Sequence, residues 1–163
     1  MGIVTETHVI YTVQPGETVY SIASRFSSDI HEIAQGNQLF PPVTDPFLIH
    51  PGQVLVVPVI GNANPFTYYI VAKYDRLSDI AERFSTNTAV ISGINHLQNP
   101  HFIHVGQPLQ IPSFIYNLEP NDTLGNIAKR FRVTVDDIVK ANSDRPGFSI
   151  NTLWPAYSII IPY

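Results

Sequence analysis

Two groups of residues in this sequence have the types that catalysis or metal binding requires. Asp136 and Asp137 are adjacent carboxylates, and two carboxylates held roughly 5–9.5 Å apart can hydrolyse a glycosidic bond. His96, His101 and His104 fall within a short loop, and imidazole is a common metal ligand. However, neighbouring aspartates at a helix start point to different sides, so helix capping explains them better. The histidine loop is interrupted by Pro and has no helix or strand spacing, so the sequence favours neither a hydrolase nor a metal site.

Composition excludes several other kinds of function. The chain has no Cys, which removes disulfides, thiolate nucleophiles and zinc–thiolate sites, and it has no Gly-x-Ser-x-Gly motif. A net charge of −4 gives no electrostatic case for nucleic acid or anionic lipid. No apolar run approaches the roughly 20 residues of a membrane span. We therefore expect no enzymatic activity, no cofactor, no metal, no nucleic-acid partner and no membrane insertion.

A nine-residue phrase occurs three times and organises the chain. In each copy the apolar residues recur at steps of three and four, which places them on one face of a short α-helix. An Arg precedes the final Phe, near the helix C-terminus, where a cation complements the helix dipole. Repetition of this kind marks a repeated structural unit. The phrases are Thr18–Phe26, Arg76–Phe84 and Thr123–Phe131.

A strand and a tight turn are predicted before each of these helices. Residues alternate between apolar and polar over the preceding segment, as in a half-buried strand. Thr18 and Thr123 are well placed as helix N-caps. The acidic residue before the helix puts a carboxylate at the positive end of its dipole. The three strands are predicted at His8–Gln14, Phe66–Ala72 and Phe114–Glu119.

A second helix and a second strand are predicted after each phrase. N-cap residues of the second helices are predicted at Asp29, Asn87 and Thr134, with capping boxes expected to Glu32 and Asp137. Each ends at an Asn, a residue that tolerates the left-handed conformation of helix ends. The following strand stops at a Pro that cannot extend a ladder. The closing residues are Asn37, Asn95 and Asn142.

The predicted fold is therefore α+β, with three tandem strand–helix–helix–strand units. Each unit pairs its two strands in an antiparallel sheet and packs both helices on one face. Units of this size have little core, so helix caps and contacts between units must add stability. We place the units at residues 8–60, 66–113 and 114–163.

The repeated pattern resembles the LysM module. The matching residues read Y-x-V-x-P-G-E-T-V-x-x-I-A-x-R-F, then I-x-x-I-A-x-x-N, then I-x-P-G-Q-x-L-x-x-P. The resemblance implies a βααβ fold that binds N-acetylglucosamine polymers, meaning peptidoglycan or chitin. Eukaryotic proteins with several LysM modules commonly carry Cys between them, so this cysteine-free chain looks more bacterial.

A shallow groove is expected where the turn after the first strand meets the loop after the second helix. To bind an N-acetyl sugar, a site must offer a hydrogen-bond donor and an acceptor for the sugar amide and an apolar depression for its methyl group. It needs no charged group. The same residues could instead serve only as helix caps and core. The residues expected to contact ligand are Gly16, Glu17, Thr18, Val19, Asn37, Leu39, Phe40, Ile49, Asp75, Leu77, Leu97, Asn121, Asp122, Thr123 and Leu124.

The three copies are not equal. The first matches the pattern best. Its longer second loop carries Phe40 and Phe47, which could form an apolar wall of the groove or only fill space beside it. In the second copy Tyr74 and Arg76 replace Gly and Thr. The turn therefore loses the conformational freedom of Gly, and the helix loses its side-chain cap. In the third, Trp154 could stack on a sugar or pack against the second copy, and packing is favoured. Binding is therefore expected mainly in the first copy.

The leading hypothesis is a non-catalytic glycan-binding protein whose tethered grooves add avidity. The alternative is a structural or adaptor protein of a cell-envelope or spore-coat layer, with envelope or coat proteins as partners. The N-terminal residues 1–14 lack the pattern of a signal peptide. We therefore expect cytoplasmic synthesis, an unknown export route, and a final location at the cell envelope or spore surface.

Overall fold

The computed structural model describes residues 2–4 and 6–163, so Met1 and Thr5 of the N-terminal segment lie outside the described residues. Short helices and strands alternate along these residues in the predicted order, preceded by one additional short strand. The elements are β1 Gly2–Ile3, β2 His8–Thr12, α1 Val19–Phe26, α2 Ile30–Gly36, β3 Val54–Pro58, β4 Thr67–Ile70, α3 Leu77–Arg83, α4 Thr88–Ile94, β5 Pro108–Gln110, β6 Ser113–Asn117, α5 Leu124–Phe131, α6 Val135–Ala141 and β7 Ser158–Pro162.

Each predicted βααβ unit is present, which confirms the α+β fold class. Strands β2 and β3, β4 and β5, and β6 and β7 form antiparallel pairs. The apolar stripe of the first helix is buried in every unit, as at Ala23, Ala81 and Ala128. We refer to the units in chain order as modules 1, 2 and 3.

Side-chain caps begin most of the helices where the sequence predicts them. Thr18 Oγ1 accepts a hydrogen bond from Ser21 N at 3.1 Å, and Thr123 Oγ1 accepts from Asn126 N at 3.1 Å. The capping box of α6, between Thr134 and Asp137, is confirmed. The expected box at Glu32 is wrong: the Asp29 carboxylate accepts from His31 N and Glu32 N, but the reciprocal bond from Asp29 N to the Glu32 side chain is not formed.

Modules 1 and 2 share one sheet, which the sequence analysis did not predict. Strand β2 pairs in parallel with β4, and the strand order is β3-β2-β4-β5. Residues that pair across this junction share a face. Val9 and Tyr68 pack with the helices of module 1, whereas Ile10 and Tyr69 pack with those of module 2. The helices of the two modules therefore cover opposite faces of the sheet.

Module 3 packs against the other two through a common apolar cluster. Its sheet has the order β1-β6-β7. Ile115 and Ile160 of this sheet join Ile10 and Val56 of module 1 and the core of module 2 in one cluster. The expectation of tethered modules is therefore wrong.

Strands β3 and β7 are buried at every residue, because they are apolar on both faces, as strands covered on both sides are.

Each module contains an asparagine that ties its second helix to its last strand. Asn37 Nδ2 donates to Ile33 O and Val56 O, each at 2.8 Å, while its Oδ1 accepts from Val56 N. Asn95 and Asn142 make the equivalent bonds. The left-handed conformation expected for these residues is wrong, since the φ of Asn37 is −119°. Their amides, rather than their backbone, explain why Asn recurs.

Two features of the third module complete the fold. Trp154 packs partly buried on the core of its own module, and its contact with module 2 stays a prediction. Arg145, in the loop before β7, is buried and bonds to residues of module 1. Among the described residues, none of the helices has the length and apolar character needed to cross a membrane.

Candidate functional site

The turn before the first helix has the same internal bonding in all three modules. In module 1 Tyr11 Oη donates to Glu17 Oε1 at 2.7 Å, and Gln14 N donates to Glu17 Oε2 at 2.8 Å. The pairs Tyr69–Asp75 and Tyr116–Asp122 repeat this arrangement. Sequence reasoning missed these bonds, although a Tyr six residues before an acidic residue recurs in every copy.

This bonding occupies the carboxylates expected to contact ligand. Burial and the Glu17 hydrogen bond raise the pKa of Tyr11 to about 12. Burial and the neighbouring aspartate likewise raise the pKa of Tyr69 and of Tyr116. Each tyrosine therefore stays protonated at neutral pH and donates to its carboxylate. The acidic residues hold the turn in shape, and the turn presents its backbone to solvent.

Module 2 has an open groove between this turn and the loop that follows α4. Its volume is about 620 Å³. Ile103 and Leu77 supply apolar surface, and Ser78 supplies a hydroxyl. The remaining lining residues are Asp75, Arg76, Thr88, Pro100 and His101. The groove therefore lies where the sequence predicts one, between the first turn and the second loop.

The charges in the module 2 groove are largely paired within the module. Arg76 Nε donates to Asp79 Oδ2 at 2.9 Å. Asp75 is engaged by Tyr69 Oη and Ala72 N, each at 2.7 Å. Arg76 makes no side-chain cap for α3, as the sequence predicts. The groove can therefore receive a neutral polar ligand without leaving an unpaired charge.

Module 1 differs because its longer loop brings an aromatic ring onto the helices. Phe47 lies edge-on to Tyr20 of α1 at 6.2 Å and to His31 of α2 at 5.9 Å between ring centroids. Phe40 also contacts Phe47, and both pack on the module 1 core. Tyr20 follows Val19 as Ser78 follows Leu77 in module 2. Phe47 therefore packs beside the residue of module 1 that corresponds to the groove residue Ser78 of module 2.

The expected ligand-binding residues fall into three classes of exposure. The side chains of Val19, Asn37, Leu39, Leu77 and Leu124 are buried, so they shape the site from below. Phe40, Ile49 and Leu97 are half-buried, as are the engaged carboxylates Glu17, Asp75 and Asp122. Gly16, Thr18, Asn121 and Thr123 are exposed on the turns.

The sequence analysis did not include several groove residues of module 2. Ser78, Thr88, Pro100, His101 and Ile103 line it together with the predicted Asp75 and Leu77. Alignment of the repeats could have identified some of them, since Ile103 aligns with Ile49 of module 1, which was expected to contact ligand. Within residues 2–4 and 6–163, no three His, Asp or Glu side chains gather as a metal site would require.

Comparison with known proteins defines the class of protein. The LysM domain family matches the chain three times, at residues 11–58, 69–112 and 116–162. These matches cover most of the sequence. The chain belongs to the LysM family, whose domains bind N-acetylglucosamine glycans such as peptidoglycan or chitin.

Individual relatives combine LysM sequences with different roles. An N-acetylmuramoyl-L-alanine amidase of Staphylococcus epidermidis is 32% identical over 66% of this chain and 35% of its own length. A secreted LysM effector of Passalora fulva is 26% identical over 85% of this chain and 72% of its length. The chain spans less than half the length of several of the curated relatives it matches.

A solved structure shows similar sequence in a spore protein. The Bacillus cereus spore cortex-lytic enzyme SleL is 34% identical over 64% of this chain and 22% of its own chain, with a TM-score of 0.46.

Proposed function

We propose that this protein binds N-acetylglucosamine-containing glycan without cleaving it, and that the module 2 groove is its principal site. The observation that carries this proposal is the open groove at the position where the turn and loop of a LysM module meet. The sequence analysis expects binding mainly in module 1; we favour module 2 because Phe47 packs against Tyr20 and His31 in module 1.

The groove has the chemistry that an N-acetyl sugar requires. Leu77 and Ile103 offer an apolar dent for the acetyl methyl group. The hydroxyls of Ser78 and Thr88 and the backbone of the turn offer donors and acceptors for the sugar amide. Specificity in such pockets comes from a few placed polar groups on a mostly apolar surface. A neutral polymer fits this groove better than an anion or a cation.

The carboxylates support binding rather than hydrolysis. The Asp137 carboxylate caps α6 and accepts from Ser85 Oγ at 2.7 Å. Glu17, Asp75 and Asp122 are held by their tyrosines. Glycosidases need one carboxylic acid whose pKa is raised to protonate the leaving group, whereas hydrogen bonds from Ser85 and Thr134 lower the pKa of Asp137.

The packing of the modules supports avidity between sites that are held in place without flexible linkers. Because β2 and β4 run parallel, the turns that follow them lie at the same end of the shared sheet. If module 1 also binds, its site and the module 2 groove can engage one surface together without ordering a linker. Such multivalency raises apparent affinity by about 10²–10⁴ where the geometry allows it. A peptidoglycan layer or a chitin surface presents the repeated sites that this needs.

Co-sedimentation of the chain with insoluble polysaccharides tests the proposal. We expect binding to peptidoglycan or chitin and none to cellulose, which lacks the N-acetyl group. Ile103→Asp would place a charge in the apolar dent and reduce binding, while Ile150→Asp, an exposed residue outside the groove, serves as the matched control. Absence of binding to both N-acetylated polymers would contradict the proposal and favour a layer protein with protein partners.

A further inference from the structure

A crevice lies between modules 1 and 2 and shares no lining residue with the module 2 groove. Its volume is about 430 Å³. Module 1 contributes the end of β2, the turn before α1 and the end of α1, whereas module 2 contributes the end of β4 and the turn before β5. Because β2 and β4 pair with each other, the two walls are held in fixed register. The lining includes Tyr11, Glu17, Arg25, Phe26, Ala72 and Val105.

Arg25 brings hydrogen-bond donors to this crevice that the fold does not use. Its Nη1 donates to Tyr11 Oη at 2.6 Å and lies 3.3 Å from Glu17 Oε1. In the part of the chain that the structure describes, Nε and Nη2 of Arg25 have no hydrogen-bond partner. The side chain is 58% exposed. A ligand in the crevice can therefore accept hydrogen bonds from this guanidinium.

Module 2 shows what the equivalent arginine binds when another segment covers it. Arg83 occupies the position of Arg25 in the repeat. Its Nη2 donates to the backbone carbonyl oxygen of Ser143, which belongs to module 3. A peptide carbonyl thus fills in module 2 the role that is open at Arg25. The chain itself therefore provides an example of a peptide bound at this position of the module.

Apolar surface lies beside these donors. Phe26 is half-buried, and Val105 is 68% exposed. Val105 stands in the closing turn of module 2 where modules 1 and 3 have Pro51 and Pro155. A mostly apolar site with a few placed polar groups orients its ligand through those groups. A short peptide, in which amide groups alternate with side chains, matches this combination.

The crevice and the module 2 groove meet at one tight turn. Ala72 lines the crevice, and Asp75 lines the groove. Ala72 N donates to Asp75 Oδ2 at 2.7 Å, and Asp75 N donates to Ala72 O at 3.1 Å. A glycan in the groove therefore lies one turn away from the crevice, so a substituent on that glycan can reach it.

We propose that this crevice binds the peptide branch of peptidoglycan while the glycan strand occupies the module 2 groove. Arg25 donates to a peptide carbonyl oxygen, and Phe26 and Val105 contact the side chains of the branch. The inference rests on the proposed glycan-binding function and selects peptidoglycan over chitin, which carries no peptide. Since branch and glycan are covalently joined, the second contact forms at high effective concentration.

Calorimetric titration of the full chain with two forms of one ligand tests this inference. The ligand is an oligomer of alternating N-acetylglucosamine and N-acetylmuramic acid, used with its peptides and after their enzymatic removal. We expect the unmodified chain to bind the peptide-bearing form about fivefold more tightly, the order of one net hydrogen bond.

Two variants assign that difference to the crevice. Arg25→Lys keeps a cation beside Glu17 but removes the planar guanidinium donors, and Val105→Asp places a charge on the apolar wall. Each should remove most of the preference for the peptide-bearing form and leave binding of the peptide-free form unchanged. Ile150→Asp, at a residue of module 3 that is 60% exposed, is the matched control and should keep the preference.

The outcomes separate this inference from the proposed function. If the unmodified chain binds both forms equally, or the peptide-bearing form more weakly, the crevice is not a peptide site and the groove assignment stands. A preference that survives both variants would also overturn the inference, since the peptide would then bind elsewhere. Equal losses of both forms in the variants would overturn it as well, because these residues would then act on the groove. If the unmodified chain binds neither form, the proposed function itself fails.

Discussion

Arg145 Nη2 donates a hydrogen bond of 2.7 Å to Asn37 Oδ1, which lies 108 residues earlier in the chain. The same guanidinium bonds to Asn142 Oδ1 and to Ser158 O. It also donates to Gly36 O at 3.2 Å. One buried side chain therefore links Asn37 of module 1 to Asn142 of module 3, and it fixes how the two modules pack against each other.

Removing this guanidinium should destabilise the whole chain. Arg145→Met would leave the buried Gly36 and Ser158 carbonyl oxygens without this donor, and each unsatisfied buried group costs about 1–3 kcal/mol. We expect a loss of roughly 3 kcal/mol in the free energy of unfolding, measured by denaturant titration. Arg132→Met, at an exposed position, is the matched control. A change within about 0.5 kcal/mol, as is usual for surface substitutions, would show that Arg145 does not hold the modules together.

The close approach of modules 1 and 3 predicts opposite effects for two Gly→Ala substitutions. A Cβ at Gly36 would lie 2.6 Å from Ser158 Oγ and 3.3 Å from its Cβ, whereas one at Gly93 would meet nothing within 4 Å. Gly93→Ala should stabilise α4 by up to about 1 kcal/mol through helix propensity. Gly36→Ala should destabilise the fold by about 1–3 kcal/mol through overpacking. Thermal unfolding of both variants checks the signs, and a stabilised Gly36→Ala variant would contradict the packing.

The packing described above could be predicted only in part from the sequence. The helix stripes, the caps at Thr18 and Thr134 and the order of elements depend on neighbouring residues, so local pattern sufficed. The parallel pairing of β2 with β4 depends on contacts between modules. The continuous apolar runs of β3 and β7 are a signal for burial on both faces, but they do not specify which elements cover each face.

The candidate site, too, could be predicted only in part from local sequence. Its position between turn and loop followed from the repeat. The proposed choice of module 2 rests on the position of Phe47, which is set by tertiary contacts with Tyr20 and His31. The role of Arg145 could not be predicted, because its partners in module 1 lie more than a hundred residues away.

A buried histidine should make stability depend on pH. Burial lowers the pKa of His8 below its ordinary value of 6.5, and the hydrogen bond to Glu6 O and the Glu6 charge only partly oppose this. The unfolded chain then binds more protons than the folded one below pH 6.5. The contribution of His8 is thus complete above pH 6.5 and is lost as the pH falls through its folded pKa.

NMR titration of the His8 ring protons checks this directly, with a folded pKa below 6.5 as the expected result. The thermal midpoint of the unmodified chain should fall as the pH drops below 6.5, and His8→Phe should reduce that fall. A His8 pKa at or above 6.5 would contradict the burial described here.

A hydrogen bond between modules 2 and 3 should be visible as a shifted carboxyl pKa. Ser85 Oγ donates to Asp137 Oδ1 at 2.7 Å. This bond, followed by those from Thr134, lowers the pKa of Asp137 below 3.8. The associated stability is present above pH 3.8 and is lost as the pH falls through the folded pKa.

Carbon-detected NMR titration can follow the Asp137 carboxyl. Ser85→Ala should raise its pKa toward 3.8, because the strongest stabilising bond to the charged form is removed. Ser24→Ala, at an exposed position in α1, should leave it unchanged. An unchanged Asp137 pKa in Ser85→Ala would mean that the two modules do not meet at this bond.

The most direct measurement of glycan binding is an NMR titration of the isotope-labelled chain with N-acetylglucosamine pentamer. The proposed site predicts concentration-dependent amide shifts centred on Leu77, Ser78 and Ile103, with smaller or no shifts in module 3. Shifts confined to another module would move the site, and no shift anywhere at saturating pentamer would contradict the account.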